Sequence, residues 1–288
     1  MNIPDPIFKK DLNKISWKKI YEREYGVQYS EVAVSLLAFA KYHFPITSLA
    51  QIVIPGEGSN SAFYIDDRSW IKLVEGLNKK YTANVKQLEK YEKQFLLDGR
   101  NYLNLAKKIS ISNLEKLSDK QLLSLFLDHQ DKRNRYSCFA WSAFILNNYV
   151  ADRATAILEP YIKGRGDKQE IIDALFRPQK RAAVLQLQYE VGKREFNYLY
   201  EKFKWLPCLD IHNKPWTKEE FKEHIKSFTK VVNKKEISFK KMIKKLKIKK
   251  KDLQYLDMAK RFVYIKDARD DFRRESVFYS NKKILKVI

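Results

Sequence analysis

Apolar residues recur every three or four positions through most of this chain, which is the period of an amphipathic α-helix. The longest such stretch extends from Ser69 to Tyr161. Within it, Ser118 and Gln121 have the spacing of a capping box, in which each side chain bonds the other residue's backbone N–H at a helix start. The apolar stripe of the helix that begins there continues to Pro160. The pattern therefore predicts a bundle of unusually long helices.

The same period occurs near the start of the chain, at Trp17, Ile20, Tyr21 and Tyr25. Together with Val32, Leu36, Leu37 and Phe39, they predict a first helical hairpin, or one helix broken near Gly26, that follows an exposed arm, residues 1–15. At the other end of the chain, the period predicts a closing helix from residue 252 to about residue 280. Both predictions rest on the spacing of apolar residues.

Two short runs of β-branched, aromatic and other apolar residues interrupt the helical pattern, at residues 49–54 and 62–65. The intervening residues 55–61 are mostly Pro, Gly, Ser and Asn, which favour turns. We therefore predict one small β-hairpin near residues 49–65. The whole chain has 8 glycines and 8 prolines, which is too few for a sheet-rich fold. The expected fold class is mainly α, a long-helix bundle with this one hairpin.

The sequence Gly164-Arg165-Gly166 marks the best internal boundary, because two glycines end the helical pattern there. It divides the chain into an N-terminal helical part with the small β-hairpin, residues 1–163, and a C-terminal helical part, residues 164–288. The pattern also fits one continuous domain.

Residues 190–228 predict two helices joined by a loop of unusual composition. The first helix ends at Trp205, and the second begins after Trp216, where Thr217 opens a second capping-box sequence. Two interpretations of the loop are open. Trp205 and Trp216 either pack on each other to close a helix corner, or they contact a ligand together with His212.

Three basic residues of the predicted closing helix, Lys266, Arg269 and Arg273, lie three and four positions apart and would share a face. Such a face can grip a phosphate or a carboxylate. It can equally form a ladder of ion pairs with neighbouring aspartates. Those aspartates are Asp267, Asp270 and Asp271.

Lysine and arginine outnumber the acidic residues by 57 to 35, a formal net charge of +22. A positive potential of this size attracts nucleic acid or anionic lipid. Lysines are densest at residues 234–251, where they alternate with apolar residues at a spacing that can be helical. Nucleic-acid binding, acidic-lipid binding and plain solvation all fit this segment. The composition, rich in Lys, Asn, Ile and Tyr, is also typical of an AT-rich genome.

No motif of a self-contained enzyme occurs in the sequence, so no catalytic residue is assigned. One loop grouping, Cys208, Asp210 and His212, hints at a metal site. Their alternating spacing places the side chains on opposite sides of an extended segment, which makes a poor chelate. We expect neither a bound metal nor a cofactor.

Cys138 and Cys208 lie far apart and outside any metal-ligand or redox spacing, which is typical of a reducing compartment. The N-terminus has no apolar run after its basic residues, and no window approaches the roughly 18 consecutive apolar residues of a membrane span. We therefore expect a cytoplasmic protein without a membrane span.

Several stretches, taken together and in order, resemble the helical region of phosphoenolpyruvate-utilising enzymes, the group that includes phosphoenolpyruvate synthase and rifampicin phosphotransferase. The resemblance covers most of the chain. It rests on WKKIYEREY (17–25), AFYID (62–66), LSDKQL (117–122), FAW (139–141), YEKFKWLP (200–207), PWTKEEF (215–221) and YIKDAR (264–269).

That family carries a phosphorylatable histidine on a swivelling domain and binds ATP on an ATP-grasp domain. Neither is recognised here, and none of the four histidines lies in the family's histidine motif. The resemblance therefore implies a non-catalytic or accessory helical module that positions a substrate or a partner's phosphohistidine domain. Its partner would be a separate ATP-grasp or phosphohistidine-domain protein. The expected contacts are Trp205, His212, Trp216, Lys266, Arg269 and Arg273.

The positive charge supports a competing hypothesis. Under this hypothesis, the chain is a basic helical nucleic-acid-binding protein, and its residues 234–251 contact the phosphates along the nucleic acid. A steep dependence of binding on salt would favour this second hypothesis over the first.

Overall fold

The structure is a computed structural model, and it describes residues 14–24, 42, 51–55, 60–176, 180–209, 213–228 and 239–284. The chain divides into two compact units, residues 1–80 and residues 81–288. Helices make up most of the described residues, and the strands form one small antiparallel sheet. The predicted fold class, mainly α with a small β element, is confirmed.

The sheet of the first unit has three strands in the order β1-β3-β2. They are β1 (Trp17–Glu24), β2 (Gln51–Pro55) and β3 (Asn60–Asp66). Strands β2 and β3 pair antiparallel, with Val53 opposite Phe63. This pairing confirms the predicted hairpin.

The helix predicted at residues 17–24 is wrong, because these residues form β1 along the other edge of β3. The rest of that prediction, after residue 24, lies outside the described residues. Trp17, Ile20 and Tyr21 are residue types that suit a strand as well as a helix. Over a run of this length the two periods are hard to distinguish. Pairing with β3 supplies backbone partners, whereas so short a helix is marginal without tertiary support.

Helix α1 (Asp67–Tyr81) follows β3 directly. Phe63 and Ile65, two positions apart on β3, are buried, and so are Leu73 and Leu77, four positions apart on α1. Side chains at these spacings lie on one face of a strand and of a helix. The first unit therefore has one apolar face on its central strand and one on its helix.

The second unit is built on α2 (Val85–Ile111) and α3 (Asp119–Ile162), which a 3₁₀ turn (Leu114–Lys116) connects. The capping box predicted for α3 is confirmed. Gln121 N–H donates to the Ser118 hydroxyl at 3.4 Å, and the Gln121 side chain accepts from Ser118 N–H at 2.9 Å. With 44 residues, α3 is about 66 Å long at 1.5 Å per residue.

Two further helices, α9 (Lys250–Ala268) and α10 (Asp271–Ile284), complete the bundle. Helix α10 packs against α2, and α9 packs against both α2 and α3. The prediction of one closing helix is wrong, because the helix is interrupted at residues 269–270. The Tyr136 hydroxyl of α3 donates to the Arg269 carbonyl at 2.5 Å, so this bond occupies a carbonyl that a continuous helix would use internally.

Aromatic rings fill the space between α2, α3 and α10. The set called the aromatic interior here comprises Phe95, Tyr102, Tyr136 and Phe272. Phe95 lies 5.8 Å from Tyr136 and 6.0 Å from Phe272 between ring centres. A Cβ atom at Gly99 would lie 2.5 Å from the Phe272 ring, so this close approach of α2 and α10 requires glycine.

Shorter helices occupy the described residues between α3 and α9. They are α4 (Lys168–Phe176), α5 (Ala183–Glu190), α6 (Phe196–Phe203), α7 (Lys218–Lys226) and α8 (Phe239–Leu246). The second predicted capping box is confirmed at the start of α7, on Thr217. Gly164 has a φ of +74° just after α3. This predicted boundary lies within the second unit, where α4 packs against α9.

Candidate functional site

Eight lysines lie exposed on α8, on the turn after it and at the start of α9. We call this set the lysine surface. It comprises Lys240, Lys241, Lys244, Lys245, Lys247, Lys249, Lys250 and Lys251. Residues 234–238 of the lysine-rich segment lie outside the described residues.

Apolar residues fix the lysine surface to the bundle. Met242, Leu246 and Ile248 are buried, and α8 packs against α4. The ammonium group of Lys260 lies 4.1 Å from the centre of the Phe239 ring, which is a cation–π contact at the start of α8. The alternation of lysine and apolar residues therefore forms an amphipathic helix whose charged face meets solvent.

Among the described residues, Lys245 is the one member of the lysine surface that forms an ion pair. Its Nζ atom lies 2.7 Å from Asp167 Oδ2. Arg165 donates to both oxygens of the same carboxylate, at 2.9 and 3.0 Å. The two cations hold the pKa of Asp167 well below its usual range. Because two cations share this carboxylate, a local excess of positive charge faces solvent.

Trp205 and Trp216, the candidates from the loop, belong to one hydrophobic core together with Phe203 and Phe221. Trp205 is buried, and its indole N–H donates to the Lys202 carbonyl at 2.8 Å. A buried ring whose N–H is satisfied within the protein contributes to packing. Direct packing of Trp205 on Trp216, which the helix-corner interpretation predicts, stays a prediction.

Trp216 is partly buried, and its ring lies beside two other rings. The centre of the indole is 4.3 Å from His224 and 5.7 Å from Phe221. The Tyr200 hydroxyl donates to the Trp216 carbonyl at 3.0 Å, which ties the loop back to α6. His212 lies outside the described residues, so a ligand role for this group stays a prediction.

The interruption between α9 and α10 separates Arg273 from Lys266 and Arg269. Arg273 lies 3.0 Å from the Asp270 carboxylate and Lys266 lies 3.9 Å from the Asp267 carboxylate, as the ion-pair interpretation predicts. The Arg269 guanidinium instead lies 5.7 Å from the centre of a phenylalanine ring on α3. The three residues do not share one uninterrupted helix, and anion binding by them stays a prediction.

Asp271 connects α10 to α5, a role that the sequence pattern did not predict. Its carboxylate accepts a hydrogen bond from Ala183 N–H at 2.8 Å, and α5 has no side-chain cap of its own. Burial raises the pKa of Asp271 to about 7. The sequence signal for this contact is the alanine at the N-cap of α5, Ala182, whose side chain cannot accept a hydrogen bond. The backbone N–H groups at that helix start therefore need an acceptor from elsewhere in the fold.

His129 is a buried histidine within the apolar stripe of α3. The Ser280 hydroxyl donates its proton to the Ser276 carbonyl at 2.8 Å. The same hydroxyl oxygen lies 3.2 Å from His129 Nε2. Because its proton is already used, this oxygen accepts the hydrogen bond from the histidine. Nε2 therefore carries the ring proton. Burial lowers the pKa of His129 to about 4, so the ring is neutral at pH 7. This arrangement connects α3 to α10.

The described residues contain no grouping of three or more His, Cys, Asp or Glu side chains that could hold a metal ion. Cys138 and Cys208 are both buried, and no disulfide joins them. Burial raises the pKa of Cys138 well above its ordinary value, which leaves little reactive thiolate. Among the described helices, none has the length and apolar character needed to span a bilayer.

Comparison of the chain with protein-family models, curated proteins and solved structures finds no match. The resemblance to phosphoenolpyruvate-utilising enzymes stays a prediction. Of the arrangements described above, the lysine surface has the chemistry best suited to binding a partner. It presents many like charges to solvent on a helix that buried residues hold in place.

Proposed function

We propose that this chain is a non-catalytic helical protein that binds nucleic acid through the lysine surface. The observation that carries the proposal is the exposure of eight lysines within residues 240–251, one of which forms an ion pair among the described residues. Neutralisation of several phosphates releases their counterions, and this release drives association. A cytoplasmic location belongs to the same proposal.

Lysine side chains contact phosphates as point charges and carry little information about base sequence. Binding through the lysine surface is therefore expected to depend weakly on the nucleic-acid sequence. It should depend strongly on salt, because each neutralised phosphate contributes about 0.9 to the negative slope of log K against log salt on a duplex. Four to five contacts would give a slope of roughly −4.

The first experiment measures binding of a fluorescent 30-base-pair duplex by anisotropy at several sodium chloride concentrations. The proposal expects a linear log–log plot with a slope of several units, and equal affinity for duplexes of unrelated sequence. A flat salt response would show that phosphate neutralisation does not drive binding.

A charge-reversal variant tests the location of the interface. In Lys240→Glu/Lys244→Glu/Lys250→Glu three lysines of the lysine surface change sign. The control, Lys86→Glu/Lys90→Glu/Lys93→Glu, reverses three exposed lysines on α2. Each variant lowers the net charge from +22 by six, to +16. We expect the first variant to lose about three units of slope and the control to lose much less. Equal losses would assign the attraction to net charge alone.

Vesicles test the main competing partner. Phosphatidylserine vesicles present an anionic surface that lysine side chains also recognise. Sedimentation with vesicles, combined with no measurable duplex binding, would contradict the nucleic-acid proposal. Duplex binding that persists in the presence of vesicles supports it.

The accessory role implied by the resemblance is a second proposal, in which a separate ATP-grasp or phosphohistidine-domain protein is the partner. Arg269 favours it, because its guanidinium lies over an aromatic ring and forms no ion pair with any residue that the structure describes. Calorimetry with phosphoenolpyruvate tests it. Binding should weaken in Arg269→Ala/Arg273→Ala and persist in Arg100→Ala, an exposed arginine on α2. Unchanged binding in the double variant would contradict this role.

A further inference from the structure

A pocket opens in the second unit between the C-terminal half of α3, α4 and α9. Its volume is about 250 Å³, and its walls are mostly apolar. They include Val150 and Leu158 of α3, Ile172 of α4 and Phe262 of α9. Apolar walls of this kind are typical of small-molecule sites, where a few polar groups set the orientation of the ligand.

Small side chains create the space. Ala151 and Ala154 of α3 and Ala259 of α9 line the pocket, at positions where larger residues would fill it. The pocket is partly open to solvent, and its volume of about 250 Å³ is close to the lower end of small-molecule sites, about 300 Å³. It can therefore hold a small organic molecule.

Lys168, at the start of α4, is the one charged residue among the described residues that line the pocket. Its ammonium lies 3.2 Å from the Glu159 carboxylate, and about half of each side chain is exposed. An exposed pair of this kind contributes little to stability, so a carboxylate of a ligand can compete for the ammonium. The lysine surface adds positive potential nearby, because α8 packs against α4.

We propose that this pocket binds a small amphipathic carboxylate, with its apolar body between α3, α4 and α9 and its carboxylate at Lys168. The ligand's carboxylate would take the place of the Glu159 carboxylate at the Lys168 ammonium, one negative charge for one cation, whereas a phosphate dianion generally requires more donors. The proposal goes beyond nucleic-acid binding and uses different residues. Its failure would leave the lysine surface unaffected.

Calorimetric titration with octanoate and with octanol tests the proposal. The two probes have the same chain length and differ in charge at pH 7. Octanoate is expected to saturate one site per chain with a Kd below about 1 mM, and octanol is expected to bind about tenfold more weakly. Binding that does not saturate would overturn the pocket assignment. Equal affinity for octanol would overturn the role of Lys168.

Variants locate the site. Ala151→Trp places an indole in the pocket from an exposed position, and Ala156→Trp places the same group on an exposed position of α3 outside it. The first should abolish octanoate binding and the second should leave it unchanged. Lys168→Ala should reduce octanoate affinity to that of octanol, whereas Lys120→Ala, at the far end of α3, should not. Octanoate affinity that is unchanged in Ala151→Trp would refute the proposal.

Discussion

The aromatic interior and the lysine surface belong to the same unit of this chain, and they depend on their residues in different ways. In the aromatic interior, ring centres lie 5.8 to 6.2 Å apart and one glycine allows the closest approach. Each side chain there fills a defined space in a close-packed interior, where a change of volume is destabilising. On the lysine surface, one lysine of the eight forms an ion pair among the described residues. In the proposed contact with phosphates, one exposed lysine can therefore substitute for a neighbouring one.

This difference separates the forces that hold the fold together from those proposed for binding. Packing depends on shape and is insensitive to salt, whereas attraction between exposed charges and phosphates is screened by salt. Changes in the interior should therefore alter the free energy of unfolding. Changes on the lysine surface should alter binding.

The largest effect is expected from Phe95→Ala. Phe95 is fully buried between Tyr136 and Phe272, so truncation removes apolar contact and leaves a cavity. The free energy of unfolding should fall by about 3–5 kcal/mol. Urea denaturation measures it, with Leu97→Ala as the control, because Leu97 lies on the same helix and is 45% exposed. A loss similar to that of the control would contradict the packing of the aromatic interior.

Asp271→Asn should alter the pH dependence of stability. Burial raises the pKa of Asp271 from 3.8 to about 7, so the folded protein keeps a proton that the unfolded chain releases. The contribution to stability is complete below pH 3.8 and is lost as the pH rises through 7. The loss amounts to at most roughly 4 kcal/mol. Asparagine removes this pH dependence and keeps an acceptor for Ala183 N–H.

Urea denaturation of Asp271→Asn and the parent protein, repeated between pH 4 and pH 8, measures this effect. The difference between the two free energies of unfolding should change steadily from pH 4 to about pH 7 and then level off. Asp119→Asn, at an exposed position, is the control. A pH-independent difference would show that Asp271 is not buried as described.

His129→Gln should reveal a pH dependence of opposite sign. Burial lowers the pKa of His129 from 6.5 to about 4. As the pH falls, the unfolded chain therefore takes up a proton on this residue before the folded protein does. The contribution to stability is complete above pH 6.5 and is lost as the pH falls through 4, by roughly 3 kcal/mol. The difference between the free energies of unfolding of the parent protein and His129→Gln should therefore change by roughly 3 kcal/mol between pH 7 and pH 4, which urea denaturation at the two pH values measures.

The contributions of Asp271 and His129 partly cancel between pH 4 and 6.5, because they have opposite signs. The parent protein should therefore show a shallow pH dependence, and each single variant should show a steeper one. Equal slopes in all three proteins would contradict both assignments.

The smallest effect on stability is expected from Lys240→Glu/Lys244→Glu/Lys250→Glu. Exposed substitutions usually change the free energy of unfolding by no more than about 0.5 kcal/mol each. The urea midpoint should therefore move little, although the same variant should lose duplex affinity. A large loss of stability would place these lysines in the packing of α8 and would weaken their assignment to an interface.

Local patterns predicted the local structure of this protein. The capping boxes at Ser118 and Thr217 form as expected because both partners lie within one helical turn. The hairpin forms as expected because its strands are neighbours in sequence. The lysine-rich segment was recognised because its apolar and charged residues alternate at helical spacing.

Predictions failed where a distant partner decided the outcome. Strand β1 pairs with β3, about 40 residues later in the chain. The closing helix is interrupted where Arg269 accepts a hydrogen bond from Tyr136, 133 positions away. Asp271 caps α5 across 88 positions. None of these partners can be identified from the spacing of apolar residues, because periodicity reports only the immediate neighbours of each position.

The sequence by itself determined the helical class, the helix starts and the excess of positive charge, because propensity, capping and charge act within a few residues or add along the chain. The tertiary structure decided which side chains are buried among partners and which remain in solvent. It therefore decided that Trp205 contributes to packing, that Arg273 meets an aspartate and that the lysines of α8 face outward. The physical reason is that the burial of each side chain depends on which distant segments of the chain pack against it.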